Sequence, residues 1–370
     1  MCQKPDCTHS PAPLTTDDRH PLYLGDWKRS IPGVDNDIAK DNYDEPHIKR
    51  KQAILDHHPE IRNLYGTDWR TIPITILAAS TQVALAYTWG KIYPNSWWPM
   101  VACAYIIGAT ITSLFGVIIH EATHNLTHSS AWINRFVGLT ANIGIPFPIF
   151  ASFRRYHLEH HAYQGVLGKD PDLPLDWEVK FIRGNFFLKL LFLFFYPMMY
   201  VVRGAAMQKT PNRWEIINAV FTITSDYTIY KTCGAKGLFY LFLSLWLGYG
   251  IHPGAAHFIQ EHFTFDDGQE TYSYYGSLNK FFMNIGYHNE HHDFTKVPWS
   301  NLPAIRETAP EFYNTLKYHM SWVMVLVNFV LQRDIGPQSR VGRDYETHKK
   351  GRKLGIPKTG GQKVEGKKAL

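Results

Sequence analysis

Charged residues and long apolar runs segregate along this chain. Residues 71–90 carry no charge and are bracketed by Arg70 and Lys91; a second uncharged run, 97–119, ends directly at His120. At about 1.5 Å of rise per helical residue, each run spans the ~30 Å hydrocarbon layer of a bilayer. The short turn 91–96 makes them a hairpin. Residues 215–230 and 237–251 read as a second hairpin closed by the turn 231–236, with Asp226 inside its first limb facing a partner helix or a cavity. Two further apolar stretches do not read as spans. Gly138, Gly144, Pro146 and Pro148 interrupt residues 136–153, and the run 190–202 is short, so both are expected to lie in the membrane plane or to re-enter it.

The polar ends frame this middle. Residues 1–66 are expected to form a cytosolic N-terminal segment, with a helix at 45–64 whose basic face meets lipid headgroups; residues 67–335 form the membrane domain; the basic, Gly-containing tail 336–370 is expected to be disordered. The two connecting turns hold only Lys91, Lys231 and Lys236, which makes the opposite side, rich in Lys and Arg, the cytoplasmic one and puts both termini there. The last residues, Lys367-Lys368-Ala369-Leu370, resemble a dilysine retrieval signal of the endoplasmic reticulum, with a solvated charge run as the alternative.

A mean hydropathy of −0.24 averages these unlike parts and conceals the spans. The 11 Trp and 21 Tyr suit the two membrane interfaces. A net charge of +6 fits an anionic leaflet, and no nucleic-acid partner is expected because no such module is present. The first 70 residues hold no apolar run, so no cleavable signal peptide is expected. Cys2, Cys7, Cys103 and Cys233 are too scattered for a disulfide framework or a thiolate metal site.

Chemistry concentrates beside the apolar runs. His120 and His124 are spaced i, i+4; His157, His160 and His161, and again His288, His291 and His292, are spaced i, i+3, i+4, which gathers imidazoles on one helix face. One such pair alone is more often two solvated histidines. Three of them, each next to an apolar segment, point to a shared site. Eight neutral nitrogen donors exceed what one tetrahedral zinc holds and suit two ions. The fold predicted is therefore all-α: a polytopic membrane protein with four transmembrane helices in two hairpins, in-plane helices and a cytosolic histidine-rich di-metal domain. Imidazole binds iron, copper, zinc or nickel. A bilayer-surface site without a catalytic thiolate or P-loop favours two irons activating O2 for attack on a lipid C–H bond; zinc hydrolysis would leave most of these rings without a task. A metal-handling membrane transporter or sensor is the alternative from another class, but it requires polar residues through the spans, where Asn218 and Asp226 are nearly alone.

The three boxes resemble those of the membrane fatty-acyl desaturase and hydroxylase superfamily. Tyr156-His157-Leu158-Glu159-His160-His161, Asp170-x-Asp172-x-Pro174, Glu270-Thr271-Tyr272-Ser273-Tyr274-Tyr275-Gly276 and Gly286-Tyr287-His288-Asn289-Glu290-His291-His292-Asp293-Phe294 resemble, within it, the sphingolipid delta-4 (dihydroceramide) desaturases, in matching order over residues 26–343. The resemblance implies an O2-dependent enzyme of the endoplasmic reticulum membrane that introduces a trans double bond between C4 and C5 of the sphingoid base of dihydroceramide, giving ceramide. Sphingolipid C4-hydroxylation to phytoceramide, alone or as a second activity, is the alternative. It implies two iron ions and electrons from NADH or NADPH through cytochrome b5 and its reductase. His252-Pro253-Gly254 is superficially similar to a cytochrome b5 haem motif, but Ala255 and the preceding apolar helix argue against a fused domain. A ninth histidine is implied after the last span: His257 matches best, His262 second. In the acyl-CoA branch an asparagine four residues earlier reaches a metal through water; Pro253 stands there here, and Asn284 is the substitute, or else a packing or capping residue. Glu121, Glu159 and Glu290 either accept hydrogen bonds from the imidazoles or stay solvated.

Overall fold

The computed structural model describes residues 25–35 and 37–355. The expectation for the dilysine-like end falls outside the described residues.

Helices dominate. β-structure among the described residues comprises two parallel pairs of two-residue strands, Ala39–Lys40 with Val341–Gly342 and Ser273–Tyr274 with Tyr318–His319, and two isolated bridges. Two helical stretches, Thr71–Ile92 and Trp97–Thr123, are long and apolar enough to cross a membrane. A third is added if Phe186–Phe194 and Tyr196–Ala206, which meet at 77°, form one broken span. That bend falls in the short apolar run 190–202, where Pro197 lacks the N–H a continuous helix would use.

The long helix Arg213–Gly248 is not one rod. Gly234, at φ 79° and ψ 173°, breaks it inside the expected turn 231–236, a conformation that glycine adopts without a Cβ clash. Its first limb starts beside the second box: Arg155 Nη1 donates to Glu215 at 3.1 Å and the Ala151 amide to Asn218 at 3.0 Å. Its second limb returns along the first hairpin, with Tyr240 Oη donating to Gln82 (3.1 Å) and Ser113 Oγ to the Gly248 carbonyl (2.8 Å). The turns of both hairpins meet where Lys236 Nζ donates to the carbonyls of Tyr93 and Pro94. A Cβ on Gly90 would lie 1.8 Å from the Cys233 carbonyl oxygen, so glycine permits this close approach.

Both polar ends pack inward, contrary to the expectation of a lipid-facing basic helix and a disordered tail. In the helix His47–His57, Arg50 turns from solvent to Asp293 (2.7 Å) and Asn289 (2.9 Å), while Ile54 joins Ile61, Phe294, Val297, Ile305 and Phe312 in an apolar cluster. Of the tail, residues 336–355 are ordered. Arg340 meets Asp172 at 2.7 Å, Arg343 meets Glu270 at 2.7 Å, and the helix Tyr345–Gly355 places Arg352 on the carbonyls of His161 (3.2 Å) and Ala162 (3.0 Å). A basic composition implies disorder only while its charges lack partners, and here buried carboxylates supply them.

Removing one member of a buried ion pair leaves the other uncompensated. Arg50→Ala is therefore expected to destabilise the protein by about 3–5 kcal/mol through the stranded Asp293. The thermal melting of detergent-solubilised protein checks this, and an unchanged melt would show that the pair does not hold the N-terminal helix in place.

Candidate metal centre

Three elements present the boxes. The apolar helix Ala109–Thr123 carries His120 in its last turn and His124 at its C-cap, and the chain then turns through Asn125 at φ 59°. The helix Phe150–Tyr163 carries His157, His160 and His161; the short helix His288–Asp293 carries His288, His291 and His292.

The side chains meet in two groups. His120, His124, His157, His161 and His291 each bring a ring nitrogen within 4.8 Å of the others, and His160, His262 and His292 do the same. His288 Nε2 adjoins the second group, 2.9 Å from His262 Nε2. Neighbouring Nε2 atoms stand 2.9 Å (His124 to His157), 3.0 Å (His157 to His161), 3.2 Å (His161 to His291), 3.0 Å (His160 to His262) and 3.2 Å (His262 to His292) apart. Two nitrogens bound at about 2.1 Å to one ion are roughly 3.0 Å apart at a right angle and roughly 3.4 Å apart in a tetrahedron. The observed spacings of 2.9–3.2 Å are of the size that ligands sharing one ion adopt.

Donor chemistry agrees with that fit. A neutral imidazole has one N–H, so rings that all face each other nitrogen to nitrogen cannot satisfy one another. His120 is buried with no hydrogen-bond partner on either nitrogen. Burial first, and then the neighbouring imidazoles, holds His124, His157, His161, His288, His291 and His292 well below the ordinary imidazole range, leaving their lone pairs free to ligate. His262 is also lowered, by burial and then by the charges of His160 and Arg340. His160 goes the other way: burial lowers it, but the charge and hydrogen bond of Asp170 outweigh burial and raise it. Asp170 Oδ1 is 2.9 Å from His160 Nδ1 and fixes the ring with Nε2 toward the second group.

His257, expected to supply the ninth ring, lies outside both groups, and His262 lies within the second. His257 opens the short helix His257–Gln260, whereas His262 lies in the turn beyond its end. His257 Nδ1 instead donates to Glu261 Oε1 at 2.7 Å, and that oxygen is 3.7 Å from His288 Nδ1. Asn284 is a packing residue, donating to the Trp299 carbonyl at 3.0 Å. The box glutamates do not hold imidazoles at hydrogen-bond distance: Glu121 is 3.8 Å from His120 and accepts from the Trp299 amide, Glu159 faces Lys209 and Arg155, and Glu290 accepts from Ser273 and Tyr275, both at 2.7 Å.

Sequence reasoning missed the supports behind the rings. His47 bridges Asp293 (2.8 Å) and Thr271 Oγ1 (3.0 Å), Thr271 Oγ1 lies 3.4 Å from His262 Nδ1, and the His47 ring is 4.8 Å from that of His292. Asp170 and Thr271 sit in quoted motifs, which was a usable signal. Nothing local marks His47.

Comparison with known proteins accords with the geometry. Residues 95–323 match the family described as Fatty acid desaturase, and residues 40–70 match the one described as Sphingolipid Delta4-desaturase (DES). The chain is 39% identical over 321 residues to the sphingolipid delta(4)-desaturase DES1-like protein of Oryza sativa subsp. japonica, covering 86% of this chain and 96% of the relative. It is 40% identical over 320 residues to the sphingolipid delta(4)-desaturase DES1 of Xenopus tropicalis (83% and 97% covered) and 39% identical over 311 residues to that of Homo sapiens (83% and 94%). Similarity of this extent, running through all three histidine boxes, shows that the chain belongs to the sphingolipid delta(4)-desaturase DES1 family of the fatty acid desaturase superfamily.

Proposed function

We propose that the protein is an O2-dependent sphingolipid delta-4 desaturase of the endoplasmic reticulum membrane, converting dihydroceramide to ceramide by forming the trans double bond between C4 and C5 of the sphingoid base. The observation that carries this reading is the meeting of nine imidazoles in two adjoining groups at the end of an apolar helix. His120, His124, His157, His161 and His291 are assigned to one iron, and His160, His262, His288 and His292 to the other. When bound, the two irons supply O2 activation, fed by NADH or NADPH through cytochrome b5 reductase and cytochrome b5. In the overall balance CH2–CH2, O2, two electrons and two protons give CH=CH and two waters.

The chain's own residues do the positioning. Asp170 holds His160, and Glu261 stands behind His288. Burial keeps most of the rings neutral, the form in which imidazole ligates a metal. Depth matters as well: C4 lies only a few bonds from the polar head of a sphingolipid, so its oxidation requires a site at the membrane boundary. The position of the first box at the end of the Trp97–Thr123 helix, which is long and apolar enough to cross a membrane, supports such a depth. The proposed topology has four crossings, by the first hairpin and the two limbs either side of Gly234, with both termini cytosolic.

Expressed in a host lacking both sphingolipid 4-desaturase and 4-hydroxylase, the chain is expected to yield a 4,5-trans-unsaturated sphingoid base by mass spectrometry of lipid extracts. C4-hydroxylated base as the sole product would overturn the desaturase assignment. His160→Ala and His291→Ala are each expected to leave less than roughly 1% of the product, as loss of a ligand deprives a whole centre of its chemistry.

Metal counting tests the ninth ligand separately. His262→Ala is expected to reduce bound metal from about two ions per chain to about one, whereas His257→Ala keeps both. The reverse pattern in elemental analysis would restore His257 to the ligand set.

A further inference from the structure

In a sphingoid base C4 is bonded to C3, which carries a hydroxyl, and C2 carries the amide. A site acting at C4 therefore meets the polar head beside the reacting carbon, and it needs polar atoms there with bonding capacity to spare. Such atoms are rare in a folded interior, because buried polar groups normally have partners.

Two belong to residues that pack on one ring, Phe258, and one of these, His257, is tied through Glu261 to His288. His257 is 6% exposed; its Nδ1 is committed to Glu261, and among the described residues its Nε2 has no partner. With the proton on Nδ1, Nε2 offers a lone pair and is an acceptor. Tyr196 is 2% exposed and its Oη likewise has no partner, leaving a free donor. Both rings pack on Phe258, with centroids 4.0 Å (His257) and 5.7 Å (Tyr196) away. Tyr200 and Tyr249 close the same cluster at 5.4 and 5.5 Å from Phe258. Tyr196 opens the second helix of the pair bent by 77°, and Tyr200, one turn on, is 36% exposed among the outward-facing Met198 and Val201. The cluster thus runs from the apolar surface to Glu261 and His288.

We propose that His257 and Tyr196 recognise the polar head of the sphingoid base, His257 Nε2 accepting from the C3 hydroxyl and Tyr196 Oη donating to the amide carbonyl. Together they set C4 against the metal centre. This inference rests on the delta-4 desaturase reading above.

The test uses purified full-length enzyme with its electron donors, given dihydroceramide or its 3-deoxy analogue. The wild type is expected to prefer dihydroceramide by roughly 10–100-fold in kcat/KM, because a site built to bond a hydroxyl rejects the analogue lacking it. In His257→Phe that preference falls to near one while bound metal stays at the wild-type level. Tyr196→Phe, which removes a single oxygen, raises KM for dihydroceramide about 10-fold with a smaller change in kcat, and keeps the preference for the 3-hydroxyl. A His257→Phe enzyme that still discriminates, or one that has lost an ion, overturns the assignment of His257; if that variant does not fold, the Tyr196→Phe kinetics decide, and an unchanged KM overturns the proposal. A wild-type enzyme that makes no 4,5-unsaturated product from dihydroceramide overturns the underlying function instead.

Discussion

Nitrogen-to-nitrogen contact among buried imidazoles is the constraint that the rest of the molecule serves. Lone pairs about 3 Å apart repel unless a proton or a cation lies between them. Protons are disfavoured here, since burial and mutual repulsion hold seven of the nine rings well below their ordinary range. Two metal ions resolve the conflict. Until they bind, covalent attachment to well-packed helices must hold the rings together. Phe115, Val117, Ile118 and Ile119, all buried, anchor the first box, and Asn142 and Asn218 tie the start of the second-box helix to the kinked helix.

The polar ends of the chain complete that scaffold from the side away from the spans. Arg50 and His47 reach Asp293 at the end of the third box, while Arg340 and Arg343 bond Asp172 and Glu270, near His160 and His262 in sequence. Buried ion pairs contribute little net stability, because desolvation offsets most of their attraction. Their directional hydrogen bonds, bidentate for Arg50 on Asp293, do restrict geometry, and a metal site that must hold several rings within a few tenths of an ångström depends on such restriction.

How much of this the sequence reveals depends on the range of the interaction. The boxes are legible because their spacing is local: i, i+3, i+4 on a helix defines a face whatever lies opposite. The first hairpin is legible because bilayer thickness fixes a length. The turn 231–236 holds the break at Gly234 for the same reason, as polar residues separate two apolar limbs. The ninth ring is not legible, since choosing between His257 and His262 requires knowing how the Pro253–Ala256 turn and the short helix after it rotate each ring. Nor are the contacts of the ends: Arg50 and Asp293 lie 243 positions apart, and no local pattern marks either as a partner of the other. The order of residues 336–355 is not legible in their basic composition, because it depends on the distant partners Asp172 and Glu270 that Arg340 and Arg343 meet.

On the assignment proposed above, His257 also links the metal centre to selectivity. Glu261 Oε1 lies 2.7 Å from His257 Nδ1 and 3.7 Å from His288 Nδ1, so the ring proposed to face the substrate is hydrogen-bonded to a carboxylate that also stands behind a ring proposed to face the metal. A hydrogen bond accepted by His257 Nε2 would make its Nδ1–H a stronger donor and strengthen its bond to Glu261, lowering the negative charge that this oxygen presents to His288. Occupation of the proposed polar-head position would thereby be felt at a ring assigned to the second ion without any movement of the helices. In an enzyme that removes hydrogens from the carbon next to a hydroxyl, a rigid connection of this kind keeps the reactive centre and the substrate in a fixed relation, and that relation decides which carbon is attacked.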